Sequence, residues 1–395
     1  MKKIFIFLFG LLCSVSAVDF DGSFSTGIYS GTPFWNPDNY SDGNTIDPES
    51  SFLRSYNRLR LNGSLTQNIG FKINALRNDG FDSENRLSET KLHQVLLNYR
   101  FSKGTVMAGR FMPFSRWIYG SIDGGAVDYF ISRQLSVNVY GGVLRQYGRL
   151  FEDENTTNLG YADIAYRIKK GRVKVKMLST EENNRAGIDF YSRYKTLQFS
   201  GNWGYNLTDN QIADGGVALF LPVNSTLSIS GAYRLMRTED FILNRIDFSG
   251  YLIERFTIGA KVKVFTKHYL DFRQMLSITS EYNDYLSVLN FIGPFYSVGI
   301  NYLDGDSDMK RIGFNLGGHY EVIKDLRLSA GVSPVNYMYS YQDTYQRTVA
   351  YYLRAGYTVL ENLNLALNFN LYDNLQSLHD NYRGGLLLKY NFGSN

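Results

Sequence analysis

The chain has 395 residues with 41 Lys and Arg against 37 Asp and Glu, a formal net charge of +4, too even a balance for nucleic acid or another strongly charged partner. One cysteine rules out a disulfide framework, and 37 Gly, 31 Tyr and 27 Phe against only 7 Pro suit many strands whose ends carry amphipathic rings. Past the first 17 residues no apolar run approaches the roughly 18 to 20 that a membrane helix needs, so the chain is either fully soluble or a membrane barrel.

Met1 to Ala17 reads as a cleaved secretory signal: Lys2 and Lys3, an apolar run from Ile4 to Leu12, then Val15-Ser16-Ala17 with small residues where a signal peptidase cuts. Cys13 lies inside it, and Leu12 before it argues against lipidation. The remainder, 18–395, reads as a single barrel domain with no plug before its first strand. That strand alternates Phe20, Gly22, Phe24, Thr26 and Ile28 with Asp21, Ser23, Ser25 and Gly27. A long polar segment follows, Thr32 to Ser51, and then Leu59, Leu61, Gly63 and Leu65 oppose Arg58, Arg60, Asn62 and Ser64.

A rhythm sets in from there. Short turns are expected at 68–70, 102–104, 132–134, 169–171, 195–196, 222–224, 254–256, 283–284, 323–325 and 360–362. Longer polar links are expected at 79–89, 112–125, 145–158, 236–243, 303–310, 334–346 and 373–381. A sandwich has no reason to sort its connections this way, whereas an outer-membrane barrel has short turns on one rim and longer loops on the other. Tyr285 to Tyr302, which contains Gly293-Pro294, is read as one long bulged strand because that keeps the long links on one rim.

Between the links the two-faced pattern recurs. Val173, Val175 and Met177 oppose Arg172, Lys174 and Lys176, and Ile258, Ala260, Val262 and Val264 oppose Lys261 and Lys263. A charged strand face cannot be a second packed core, because unpaired buried charge costs several kcal/mol. It must meet water. The pattern is cleanest near the end, where Leu363, Leu365, Leu367, Phe369 and Leu371 oppose Asn364, Ala366, Asn368 and Asn370. The count predicts an all-β, closed antiparallel transmembrane β-barrel of about 22 strands, with 18 as a lower bound. It must close, since hydrocarbon cannot satisfy open edge groups.

The last strand ends on Phe392 after Leu386, Leu388 and Tyr390, and resembles the aromatic-ended final strand of outer-membrane proteins, although Gly393, Ser394 and Asn395 trail after it. Met107 to Tyr129, with Gly109-Arg110, Pro113, Gly120 and Asp123-Gly124, resembles the stretch around the third strand pair of general and substrate-selective porins. That resemblance implies an inward-folded, constricting link between Met112 and Gly125, with Pro113, Arg116 and Trp117 as its candidate residues. An ordinary external loop with an aromatic anchor is the other reading.

The expected lumen face is rich in cations: Arg54, Arg58, Arg60, Lys72, Arg110, Arg172, Lys174, Lys176, Arg234, Lys261, Lys263, Arg354, Arg383 and Lys389. Acids assigned to it are fewer, among them Asp163, Asp189, Asp247, Glu281 and Glu321. Rings of charge set ion preference in pores, so a mild anion preference is expected, against the reading in which these arginines only pair with acids and stiffen the wall.

Enzymatic readings find little. There is no Gly-x-Ser-x-Gly, no phosphate-binding loop and no His-Glu-x-x-His. His319 and Glu321 fit a solvated pair better than a metal site. Asp304-Gly305-Asp306-Ser307-Asp308 has its glycine second and Asn315 where a calcium loop needs its closing glutamate. No cofactor and no metal are expected. The expectation is a non-enzymatic diffusion channel for small hydrophilic solutes or ions, partnered by outer-membrane lipid and lipopolysaccharide and compatible with a homo-oligomer. The alternatives are a non-conducting barrel that sheathes or docks an electron-transfer or export component and, behind it, a barrel hydrolase.

Overall fold

The computed structural model describes residues 19–31, 52–81, 88–113, 117–118, 120–145, 156–237, 252–280, 283–306, 309–339, 346–374 and 381–393. The expected signal segment, Arg116, Asp247 and Glu281 lie outside them. Every element is a strand: β1 (Asp19–Gly31), β2 (Phe52–Ser64), β3 (Ile69–Gly80), β4 (Ser88–Phe101), β5 (Gly104–Phe111), β6 (Ser121–Phe130), β7 (Leu135–Arg145), β8 (Thr156–Ile168), β9 (Gly171–Thr180), β10 (Asn184–Tyr194) and β11 (Leu197–Asn206). The second half continues with β12 (Gln211–Pro222), β13 (Leu227–Arg237), β14 (Leu252–Phe265), β15 (His268–Ile278), β16 (Asn283–Ile292), β17 (Tyr296–Gly305), β18 (Met309–Ile323), β19 (Leu326–Tyr339), β20 (Gln346–Leu360), β21 (Leu363–Asn374) and β22 (Asn381–Gly393).

Each strand pairs antiparallel with the next, and β22 returns to β1 with Phe392 opposite Gly22 and Lys389 opposite Ser25. The 22-strand sheet is therefore a closed barrel, with no free edge to leave amide groups unpaired. Facing partners share a side, so the register carries one face around the whole circuit. The outward side bears exposed apolar residues such as Ile28, Val175, Ile258, Phe314 and Leu386. Tyrosines mark both ends of that band. Tyr296 and Tyr302 on β17, and Tyr357 and Tyr351 on β20, stand six residues apart. That is roughly 20 Å along a strand, near the ~25 Å apolar band of outer-membrane barrels.

Two turn assignments need correction. Glu254-Arg255-Phe256 lies inside β14, where the Tyr233 hydroxyl donates to Glu254 on the outer face and Arg255 Nε donates to Ser277 Oγ on the inner one. The short turn comes later, at 266–267. Likewise Asn283-Asp284 opens β16, and Tyr285 to Tyr302 is two strands rather than one. Pro294 has no amide hydrogen to give to a ladder, and Gly293 N–H closes the turn on Tyr296 O at 2.8 Å. The rims keep their identity nonetheless, because a four-residue link at 279–282 restores the order. On that same rim the links 181–183 and 207–210 are also short, which is why residue composition did not separate them from turns.

Candidate functional site

The link between β5 and β6, residues 112–120, carries the most distinctive contacts of the lumen. Inner-face positions on the neighbouring wall are apolar where alternation calls for polar residues: Leu96, Ile122, Leu144, Leu159 and Leu178 are all buried. The link supplies Trp117 and Ile118, and with Phe111, Tyr140 and Tyr161 they make one packed cluster inside the barrel. Burial of this kind stabilises by roughly 25 cal/mol per Å² of apolar surface. The link is therefore held along the wall by the same force that builds an ordinary core.

Trp117 is 8% exposed. Its benzene edge lies over Gly187 on β10 and Gly204 on β11, which face each other in register. A Cβ on Gly187 would stand 2.8 Å from Trp117 Cη2, and one on Gly204 would stand 3.0 Å from Cζ2. Only paired glycines leave room for the ring. Its indole N–H donates to Asp214 Oδ1 at 2.7 Å, and Asp214 Oδ2 accepts from Asn202 Nδ2 at 2.5 Å. The register between β11 and β12 shifts at this point, with Gly204 opposite Asp214 but Tyr205 opposite Ile212. Ala213, fully buried, is the extra residue. A bulge of this sort re-aims the next side chain, here Asp214.

Lys176 completes the anchor. Its Nζ lies 4.1 Å from the centroid of a Trp117 ring and 2.7 Å from Asp189 Oδ1, with only 4% of the side chain exposed. A desolvated ammonium over an indole face is attracted by the ring quadrupole, and the carboxylate offsets its burial. Lys174 Nζ stands 3.6 Å from Asp163 Oδ2 one step nearer the short turns. Between the link and the wall lies a recess of ≈ 680 Å³ whose lining includes Pro113, Lys174, Lys176, Asp189, Asn202 and Arg234. A second, of ≈ 800 Å³, opens toward the short-turn rim beside Asn138, Asp163, Arg167 and Arg172.

The register places Arg54, Arg58 and Arg60 on the inward face of β2, with Lys72 beside them on β3, where Arg58 Nε donates to Asn74 Oδ1. Arg172, Lys174 and Lys176 face inward on β9, Arg234 on β13, and Lys261 and Lys263 on β14. Arg354, Arg383 and Lys389 face inward on the last strands. Arg110 stands apart. It faces Val95 in register, on the side of exposed Val106 and opposite Met107 and Phe111. Its guanidinium pairs there with Asp123, which also takes Arg145. These strands are therefore bonded across their outer surface by a three-member charge group near the long-link rim.

Of the acids, Asp163 and Asp189 pair with lysines, and Glu321 shares the inner face with His319. Asp304 is committed to the Tyr302 hydroxyl, to Gly305 N–H and to Lys310 Nζ at 3.5 Å. Among the described residues no group of three or more His, Cys, Asp or Glu could hold a metal ion. Reading for alternation missed Asp214 and the glycine pair. The available signal was a set of strands, β6 to β9, with apolar residues on both faces.

No protein-family model matches the chain, and no curated protein matches it in sequence. Among solved structures it is similar to OpdQ of Pseudomonas aeruginosa, at 12% identity over 95% of this chain and 98% of that one, with a TM-score of 0.46. OccK5 (OpdH) of Pseudomonas aeruginosa is similar at 12% identity over 95% and 99%, with a TM-score of 0.47. A BenF-like porin of Pseudomonas fluorescens Pf-5 is similar at 12% over 95% and 99%, with a TM-score of 0.43.

Proposed function

We propose that the chain is a bacterial outer-membrane channel for passive diffusion of small hydrophilic solutes or ions, with a mild preference for anions and no catalytic role. Residues 1–17 act as its cleaved leader, and lipopolysaccharide surrounds its long-link rim. The observation that carries this reading is that, away from the covered wall of β4 to β9, the inward face is lined by Arg, Lys, Asn and Ser, inside a closed wall whose outward band is mainly apolar and bounded by tyrosines. Such a wall is stable only with lipid outside and water within.

A barrel of this strand number is roughly 40 Å across between backbones, far wider than a small solute needs. The link pinned by Trp117 narrows it on one side, and the recess between Pro113 and Arg234 is the narrow part of the path. Inward cations outnumber inward acids there and at the far wall, which favours anions. Planar-bilayer conductance in a salt gradient tests this directly. A reversal potential of anion-preferring sign is expected, whereas absence of conductance from folded, heat-modifiable barrel removes the channel reading and a cation-preferring sign removes the selectivity.

A further inference from the structure

The short-turn rim is electrically lopsided. Among described residues in each turn and three strand positions either side, the four consecutive hairpins from β4 to β11 hold nine cations and a single carboxylate, Asp128. The other short turns and the start of β1 hold Lys263, Lys267, Lys324 and Arg327 against Asp19, Asp21, Glu321, Asp325 and Glu361, close to balance. Five of the nine stand in the turns themselves: Lys103, Arg133, Lys169, Lys170 and Lys195. The other four, Arg100, Arg167, Arg172 and Arg193, sit on the inner lip. All nine are exposed, and none is ion-paired with a described carboxylate.

Exposed apolar residues are interleaved with them. Ile131, Ile168 and Tyr194 are 50%, 43% and 69% exposed. Ile131 in its turn, and Ile168 and Tyr194 on the outward side of their strand ends, offer apolar contact at the level where acyl chains meet headgroups, which water or a soluble acidic protein does not return. Directly outside the first two of these hairpins Tyr99, Phe101 and Tyr129 form a stacked row, and at the fourth Lys195 Nζ lies 5.7 Å from the Tyr194 ring centroid. The turn cations therefore stand one to four residues beyond an outward aromatic, roughly 3–13 Å along the chain, within snorkelling reach of headgroup phosphates.

We propose that this arc, and not the rest of the rim, binds anionic glycerophospholipid headgroups of the leaflet that meets the short turns. The proposal rests on the membrane reading above. It gives the barrel a preferred set of annular lipids on one side, held by turn lysines and arginines over an aromatic ledge.

The test uses the full-length barrel purified in neutral detergent and equilibrated with equal amounts of phosphatidylglycerol and phosphatidylcholine, with retained lipids counted by native mass spectrometry. Wild type is expected to retain phosphatidylglycerol in roughly tenfold preference, falling with added salt. The variant K103Q/K169Q/K170Q/K195Q is expected to approach parity, while K267Q/K324Q on the balanced arc keeps the wild-type ratio. No preference in wild type, a preference indifferent to salt, or equal loss in both variants overturns the proposal. So does salt-sensitive capture of polyglutamate by wild type with no lipid preference, which gives the arc to an acidic protein. Conductance of the same preparations in phosphatidylcholine bilayers separates the two readings: a conducting barrel without lipid preference defeats only the lipid proposal.

Discussion

The wall from β5 to β9, in strands of 8 to 13 residues, and the wall from β18 to β22, in strands of 12 to 15, belong to one sheet yet obey different rules. On the second, inward positions are Asn315, Ser329, Arg354, Asn368 and Arg383, and outward positions are Phe314, Leu328, Leu353, Phe369 and Leu386. On the first, Ile122, Leu144, Leu159 and Leu178 point inward and are as buried as a soluble core. Period two reports orientation only where one face meets lipid and the other water. Where a segment of the same chain lies on the inner wall both faces become apolar, and the strand says where a cover must sit.

The sharpest way to break this contrast is to place the same charge on both inner faces. Ile122→Asp buries a carboxylate beneath Ile118 and Trp117 without a partner, a penalty of several kcal/mol. Ala366→Asp, inward on β21 beside Gly356 and Leu387, meets water and is expected to change stability by less than about 0.5 kcal/mol. Urea midpoints read from the heat-modifiable band compare them. Equal losses at the two positions remove the covered inner core.

Trp117→Ala is the next largest. It deletes the ring over Gly187 and Gly204, leaves Asp214 without the indole N–H and strips Lys176 of its ring. Truncations of this type cost about 3–5 kcal/mol in a packed core, and the released link is expected to raise single-channel conductance. Unchanged conductance with an unchanged midpoint places the link elsewhere in solution. Gly187→Val should act in the same direction but less, because it displaces the ring and leaves its hydrogen bond available to re-form. Overpacking of that kind costs typically 1–3 kcal/mol. Unaltered conductance and stability in this variant remove the glycine seat.

Much of the fold was legible because lipid and water impose the simplest possible pattern on a strand. Leu363 to Leu371 and Arg172 to Met177 declare their faces without any tertiary knowledge. The turns that were misplaced, at 254–256 and 283–284, failed for a physical reason: charged residues near the long-link rim look like turn residues when a strand runs past the hydrocarbon. Arg110 was misassigned to the lumen because a charge beside a glycine reads as water-facing. Asp123 and Arg145, one and two strands away, neutralise it on the outer surface. The Trp117 seat joins residues nearly a hundred positions apart in sequence, and no local period encodes a Trp–Gly–Gly–Asp meeting between a link and three strands.

The smallest expected effect concerns single inward cations, and again the two walls should differ. Lys176→Gln removes a positive charge from the recess beside the link and leaves Asp189 without its 2.7 Å partner, so the local field becomes less positive and the reversal potential should move toward cations. Arg354→Gln, on the open wall, removes an exposed guanidinium that stands over the Tyr352 ring, 5.4 Å from Cζ to centroid. An exposed charge on a wide wall is screened within a Debye length, about 10 Å at 0.1 M and about 3 Å at 1 M salt. Its shift should be in the same direction, smaller, and gone at 1 M, while part of the Lys176→Gln shift persists because the Lys176 ammonium is buried against Trp117. Equal shifts with equal salt dependence would mean that solutes pass the two walls alike, and that the link does not set the path.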